Sequence, residues 1–288
     1  MIVIRKVWAL AILFILVVSS AKAIQPNDTI IKNKTYKNSI KTAQIYRKGW
    51  KLAYPVMDIR SGNQLEFTFD DLADNVMNYQ YTLVHCTADW RPSDLVKEDY
   101  TEGFTSAEIT DYSYSSNTLH QYIHYRVKLP NRDIKPRLTG NYALIVYEGY
   151  DASNVVLTKR FSLYQRKVSI QTELKRPTMA QYSDNGQELD FTINHANYPV
   201  NDPYNELKVV VRQNNRWDRA LVGLMPKFVH GNELVYDFDT KNVFKGGNEF
   251  RYFGIQSVRY KSQQIKEIVF ADPYYHIELR RYMPYKLR

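Results

Sequence analysis

Leu65-Glu66-Phe67-Thr68-Phe69-Asp70-Asp71-Leu72 decides how this chain is read. Leu65, Phe67 and Phe69 alternate with Glu66, Thr68 and Asp70. Alternation with a period of two is the pattern of a strand with one face turned to a core. A few residues on, Tyr79, Tyr81 and Leu83 repeat it, with Val84 and Cys86 on the opposite face. Leu119, Ile123, Tyr125, Val127 and Leu129 form the longest alternation, stopped by Pro130-Asn131. Tyr142, Leu144 and Val146 follow, opened by the turn residues Thr139-Gly140-Asn141 and closed by Glu148-Gly149. Leu157, Phe161 and Leu163 add another strand, with Lys159 interrupting the apolar face.

Arg166 to Gly186 is the best boundary. It holds Lys175-Arg176-Pro177 and Ser183-Asp184-Asn185-Gly186, both rich in turn formers. Beyond it the alternation restarts at Leu189, Phe191 and Ile193, at Leu207, Val209 and Val211, and at Leu234, Tyr236 and Phe238. Phe250, Tyr252 and Ile255 suggest a strand with a bulge near Gly254. Ile265, Ile268 and Phe270, then Tyr275, Ile277 and Leu279, suggest two more. No long helical stripe interrupts the series. Short strands with turns at intervals near ten residues predict an all-β chain of two tandem antiparallel, immunoglobulin-like β-sandwiches. The expected layout is a leader over 1–23, a first sandwich over 24–170 and a second over 171–288. The polar stretch 24–45 is expected to be a lead-in or a first edge strand.

The leader is read from Arg5-Lys6, an apolar run from Val7 to Val18, and Ala21 and Ala23 at the −3 and −1 positions of a cleavage site before Ile24. These are the parts of a secretory signal peptide. The run falls short of the about twenty residues that span a bilayer. The expected location is therefore outside the cytoplasm, in the periplasm. Cys86 is the single Cys in the 288 residues, so no internal disulfide can staple the fold, and a buried, inert thiol is expected. The formal charge is +9, and the leader carries three of those cations and no acid. The remaining excess is spread along the chain. Nucleic-acid binders cluster such charge, so no nucleic-acid partner is expected.

Catalytic constellations are hard to find. Asp70, Asp71 and Asp89 could be imagined as glycosidase carboxylates. Neighbours on a strand face opposite ways, however, and Phe69-Asp70-Asp71-Leu72 reads more simply as a strand end with an Asp accepting turn amides. His120 and His124 would stand roughly 13 Å apart on a strand, too far for one ion. No nucleophile elbow, phosphate loop or dinucleotide-binding glycine pattern occurs. We therefore expect no enzyme, no metal and no cofactor. Trp90, in Asp89-Trp90-Arg91-Pro92, and Trp217, in Arg216-Trp217-Asp218, could be binding platforms or plugs for a sandwich end. Pro92 is expected to force the chain out of its sheet. Ser93 to Asn117 would then be a long connection suited to a partner site.

Several strings together resemble the plug protein family of the type IX secretion system. They are Leu65 to Leu72, Tyr79 to Cys86 with Asp89-Trp90, Pro92 to Leu95, Tyr100 with Gly103-Phe104, and Ser116 to Leu119 with His124-Tyr125. Further strings are Leu129-Pro130-Asn131, Thr139-Gly140-Asn141-Tyr142 and Leu157 to Phe161. In the second half they are Gln213-Asn214-Asn215-Arg216-Trp217-Asp218 and Gly246-Gly247-Asn248-Glu249-Phe250-Arg251. The resemblance spans roughly 40–285. It implies a non-catalytic periplasmic protein that binds the outer-membrane translocon barrel and closes its periplasmic opening. It implies turn-forming and strand-end roles for Asp70, Asp71, Asp89, Trp90, Gly140, Asn141, Tyr142, Gln213, Asn214, Trp217, Gly247, Asn248, Glu249, Phe250 and Arg251. Members of that family continue past the region matching Tyr274 to Tyr285, so the expectation is either a missing C-terminal part or a shortened member of the family. The alternative suggested by the 24 Tyr, Trp90 and Trp217 is an exported glycan-binding sandwich, because sugar rings stack on aromatic faces.

Overall fold

The computed structural model describes residues 30–73, 75–246 and 253–281. The expected leader and the motif residues Gly247, Asn248, Glu249, Phe250 and Arg251 lie outside the described residues. The described residues are nearly all β in their regular structure, 47% strand and 4% helix. It divides into two compact units between Arg166 and Lys167. No helix among the described residues is long and apolar enough to cross a membrane.

The strands of the first unit, in chain order, are β1 Lys34–Thr35, β2 Ile40–Arg47, β3 Val56–Asp58, β4 Leu65–Asp71, β5 Tyr79–Cys86, β6 Thr101–Gly103, β7 Ala107–Glu108, β8 Asp111–Tyr114, β9 Ile123–Leu129, β10 Ile134–Pro136, β11 Gly140–Glu148 and β12 Val155–Tyr164. One sheet runs β1-β12-β11-β5-β7 and the other β2-β4-β9-β8. In chain order these are the G, F and C places and the A, B, E and D places of an immunoglobulin sandwich. β3 lies parallel to β12 while every other pair in the unit is antiparallel. The sequence predicts antiparallel sheets throughout. β3 departs because the chain leaves the β2 edge, crosses at residues 48–55 and re-enters beside the last strand.

The inward residues are those the alternation marks. Phe67, Phe69, Tyr79, Leu83, Tyr125, Tyr142, Leu144 and Val146 are all fully buried and share one core. The sheets meet through rings: Phe69 stacks on Tyr125 at 4.9 Å, and Tyr79 stands edge-on to both, at 5.3 and 5.0 Å. Such pairs contribute roughly 0.5–1.5 kcal/mol beyond their buried area. The Tyr142 hydroxyl donates to the Leu138 carbonyl at 2.8 Å, four residues upstream. This is the tyrosine corner that closes immunoglobulin-like sandwiches. Two residues on, where antibody domains place a disulfide cysteine, stands the fully buried Leu144. Apolar packing replaces the staple.

Three sequence expectations change here. Ser93 to Asn117 is not a plain connection, for it holds a single helical turn, Lys97–Tyr100, and β6, β7 and β8. Those strands sit at sheet edges, so their side chains never alternate strongly. Pro92 does not leave the sheet: it bridges Cys86, and Ser93 N–H donates to the His85 carbonyl. An edge position tolerates its missing N–H. Leu119 is 73% exposed and precedes the strand that begins at Ile123.

The second unit comprises β13 Ser169–Lys175, β14 Gly186–Asn194, β15 Val209–Val211, β16 Leu221–Leu224, β17 Phe228–His230, β18 Glu233–Tyr236, β19 Val243–Lys245, β20 Ile265–Ala271 and β21 Tyr274–Leu279. Its main sheet is β13-β14-β18-β17, with β19 also on β14. The hairpin β15–β16 covers it: Val209, Val211 and Leu224 pack against buried Phe191, Ile193, Leu234 and Tyr236. β13 falls inside the segment read as a boundary. Six of its seven residues are exposed, so no buried stripe betrays it. The strand expected at Phe250–Ile255 is not present in its described part, since Gly254 and Ile255 are irregular, and Phe250 and Tyr252 lie outside the described residues.

Candidate functional site

The carboxylates at the end of β4 separate as strand geometry demands. Asp70 faces outward, where Thr42 Oγ1 donates to it and His124 Nδ1 lies 2.6 Å away. Asp71 is fully buried; it accepts from the Tyr79 hydroxyl at 2.5 Å and the Ala73 amide at 3.1 Å. Burial first, and then the Asp71 hydrogen bond, raises the Tyr79 phenol well above its ordinary value. The pair therefore joins a neutral donor to an acceptor and ties the β4–β5 connection to the core. Asp89 sits exposed on the turn at the far end of β5, roughly 23 Å of strand away. The three acids are not brought together. His120 stands in a loop while His124 is in β9, so no pair forms there either.

Trp90 closes one end of the sandwich. It is 4% exposed, and the Arg160 guanidinium lies 4.5 Å over its ring. Its backbone is left-handed, with φ of 64°, in the turn that lets Thr87 and Arg91 bond to each other. Its carbonyl accepts from Ile31 N–H at 2.9 Å. Cys86 beside it is buried, and desolvation pushes its thiol up to about 11, which keeps it protonated and unreactive at neutral pH. Gly140, Asn141 and Tyr142 build the opposite side of this end. At Gly140, φ is +138° and a Cβ would meet His85 Nε2 at 2.5 Å, so only glycine fits. Asn141 donates to the Thr87 carbonyl at 3.2 Å and accepts from Ser162 Oγ at 2.8 Å. The motif residues of the first unit are thus turn formers and strand-end bonders.

Gln213 and Asn214, among the described residues of the second unit, play similar parts. Asn214 and Asn215 have φ of 52° and 57°, a conformation Asn tolerates, and turn the chain between β15 and β16. Gln213 Nε2 donates to Gln187 Oε1 at 2.8 Å, fastening this turn to β14. Trp217 is half-buried with Arg212 over its ring at 4.5 Å. Sequence reasoning missed one polar cluster there. Glu188, Asp237 and Asp239 bring carboxylate oxygens within 4.8 Å of one another. Glu188 is fully buried and accepts from Thr178 N–H at 2.8 Å. The charge among these acids is Lys175, 3.3 Å from Glu188, 3.7 Å from Asp237 and bonded to Asp190. The Asp190 bond is the chief reason its ammonium pKa is raised.

What does stand open is apolar and aromatic. In the former connection, Tyr112 and Tyr114 of edge strand β8 are 43% and 67% exposed. Between β2 and β3, Trp50, Leu52 and Tyr54 project outward. Composition alone showed many tyrosines; which ones face solvent depended on the edges.

Taken together, the first unit is an immunoglobulin-like sandwich whose polar motif residues serve turns and whose surface carries open aromatic edges. Residues 40–165 match the family described as type 9 secretion system plug protein, first domain, and this N-terminal domain belongs to the type 9 secretion system plug family. Among solved structures the chain is similar to a hypothetical protein from Parabacteroides merdae ATCC 43184, at 32% identity and a TM-score of 0.81. The similarity covers 87% of this chain and 63% of that one, so the chain spans under two thirds of its relative. No curated protein matches.

Proposed function

We propose that this protein is a periplasmic plug that binds the outer-membrane barrel of the type IX translocon and closes its periplasmic opening. The observation that carries this reading is the match of residues 40–165, β2 to β12 of the first sandwich, to a plug-protein domain. Two features support it. The acids Asp70, Asp71 and Asp89 serve a surface pair, a buried hydrogen bond and a turn, so the reading assigns them no reaction. The open aromatic edge β8 offers Tyr112 and Tyr114 to a protein partner, and tyrosine is favoured at such interfaces. Export by a leader ending at Ala23 belongs to the same proposal. The glycan-binding alternative rests on the tyrosines, Trp90 and Trp217; of the two indoles, Trp90 is buried under Arg160 and Trp217 is half-buried with Arg212 over its ring.

A photo-crosslinking amino acid at Tyr114, with mass spectrometry of the adducts, tests the partner. The expected adduct is the large barrel, and a strain lacking the protein is expected to admit large antibiotics that the parent excludes. A tight barrier in the deletion strain, with no barrel in any adduct, would overturn the reading.

A further inference from the structure

We propose that the loop between β2 and β3, residues 48–55, docks on a lipid surface bearing anionic headgroups. This goes beyond the plug reading and stands without it. The stretch runs Arg47-Lys48-Gly49-Trp50-Lys51-Leu52-Ala53-Tyr54. No Asp or Glu occurs from Thr29 to Met57. Of the cations in that span, Arg47, Lys48 and Lys51 belong to the tip, whereas Lys41 lies opposite Asp70 at the other end of β2 and Lys37 pairs with Glu148. Trp50, Leu52 and Tyr54 are 56%, 73% and 53% exposed. Large apolar side chains thus alternate with cations at one loop tip.

The tip is built rather than loose. Trp50 N–H donates to the Arg47 carbonyl, Ala53 N–H to Trp50, and Lys48 N–H to Gln64, each at 2.9 Å. Gly49, at φ of +82°, makes the tight reversal possible. The Arg47 guanidinium lies 5.0 Å from the Trp50 ring. The register Arg47↔Leu65 and Leu65↔Leu129 puts the loop at the end of the sandwich that carries the loops with exposed Arg60 and Arg132. The acids of those two loops are Asp58 and Asp133, and β6 brings Glu102 to 3.7 Å from Lys135, so the cationic character belongs to the tip itself, Arg47, Lys48 and Lys51.

Indole and phenol rings settle at the headgroup level of a bilayer, where each has an apolar body and a polar edge to satisfy. Basic side chains beside them add roughly 1 kcal/mol each near an anionic surface. The charge selects the occupant: a second copy would bring like charge against like, whereas anionic lipid complements every cation at the tip. Two modest forces, apolar insertion and charge, together give reversible peripheral docking.

The test uses the chain starting at Ile24, which keeps every described element and drops the apolar run Val7 to Val18, itself a lipid binder. Co-sedimentation is measured with vesicles of phosphatidylethanolamine and phosphatidylglycerol, and with neutral phosphatidylcholine vesicles. Binding is expected to the anionic vesicles only, and to weaken as salt shortens the Debye length. K48Q/K51Q is expected to bind about thirty-fold more weakly. W50S/L52S is expected to lose at least about ten-fold. Both pairs are exposed, so unchanged thermal melts check that folding is intact. Failure of the wild-type chain to sediment with anionic vesicles overturns the proposal. So does equal sedimentation of wild type and variants, or a loop whose variants lose only a protein partner. A negative vesicle result leaves barrel crosslinking untouched, so the two failures are distinguishable.

Discussion

The two units are both sheets of short strands, yet they are held together differently. The first joins two full sheets around a continuous ring-lined core, with Phe67, Phe69, Tyr79, Tyr125 and Tyr142 fully buried. The second buries Phe191, Ile193, Leu234 and Tyr236 under one short hairpin and leaves Val269, Phe270 and Tyr274 of its last hairpin exposed. The first meets its buried carboxyl group, Asp71, with two neutral donors, the Tyr79 hydroxyl and the Ala73 amide, and ties Tyr142 to the Leu138 carbonyl. The second places a charged group in its interior, Glu188, and needs Lys175 to balance it. A sheet pair that closes fully can hold its buried acid with hydroxyl and amide donors of its own. A thinner cover needs polar ties at its margin.

Alkaline pH is expected to break this comparison open first. Burial, the leading cause in each, raises the phenols of Tyr46, Tyr79, Tyr81, Tyr100, Tyr125 and Tyr142 in the first unit, and of Tyr236 in the second. A folded pKa above the unfolded 10.0 means that the unfolded chain releases its protons first. The stabilisation is complete at neutral pH and is lost as pH climbs past about 10. The first unit should therefore unfold in alkali with the steeper pH dependence, seen as tyrosinate absorbance appearing together with loss of near-ultraviolet dichroism. Free titration of its tyrosines in a chain that stays folded would contradict the buried-phenol account.

Next in size is the core itself. Phe69→Ala removes a ring stacked at 4.9 Å on Tyr125 and should cost the first unit about 3–5 kcal/mol in chemical denaturation. Phe191→Ala removes a ring stacked at 4.5 Å on Tyr236 but under a thinner cover, and should cost the second about 2 kcal/mol. Equal losses would mean that the two cores are alike after all. The smallest effect belongs to surface charge. Arg126 and Asp111, paired at 3.2 Å and a third to a half exposed, should be coupled by under about 1 kcal/mol in a double-mutant cycle. Lys175→Met should lower the melting temperature of the second unit by more than Arg126→Met lowers that of the first, because Glu188 is left buried without its counter-charge.

Much of the first core was legible. Phe67, Phe69, Tyr81, Tyr125 and Leu144 were marked as inward by alternation, which is a local property of the chain. The Asp71 reading was legible too: a strand-end acid accepting a turn amide, here Ala73 N–H at 3.1 Å. The Tyr79 hydroxyl was not legible, since its meeting with Asp71 depends on how β4 and β5 pack. Nor was the covering of Trp90 by Arg160, seventy residues away in the chain.

By itself the sequence determined the all-β class, the inward face of each principal strand and the turn at Gly140, because side-chain period and backbone preference act over a few residues. Tertiary structure alone decided that Asp111–Tyr114 and Ser169–Lys175 are strands and that β3 runs parallel to β12. It also decided that Trp50, Leu52 and Tyr54 face outward together. An edge strand owes its existence to backbone bonds with a neighbour, and an exposed tip to what fails to cover it; neither leaves a mark on its own residues.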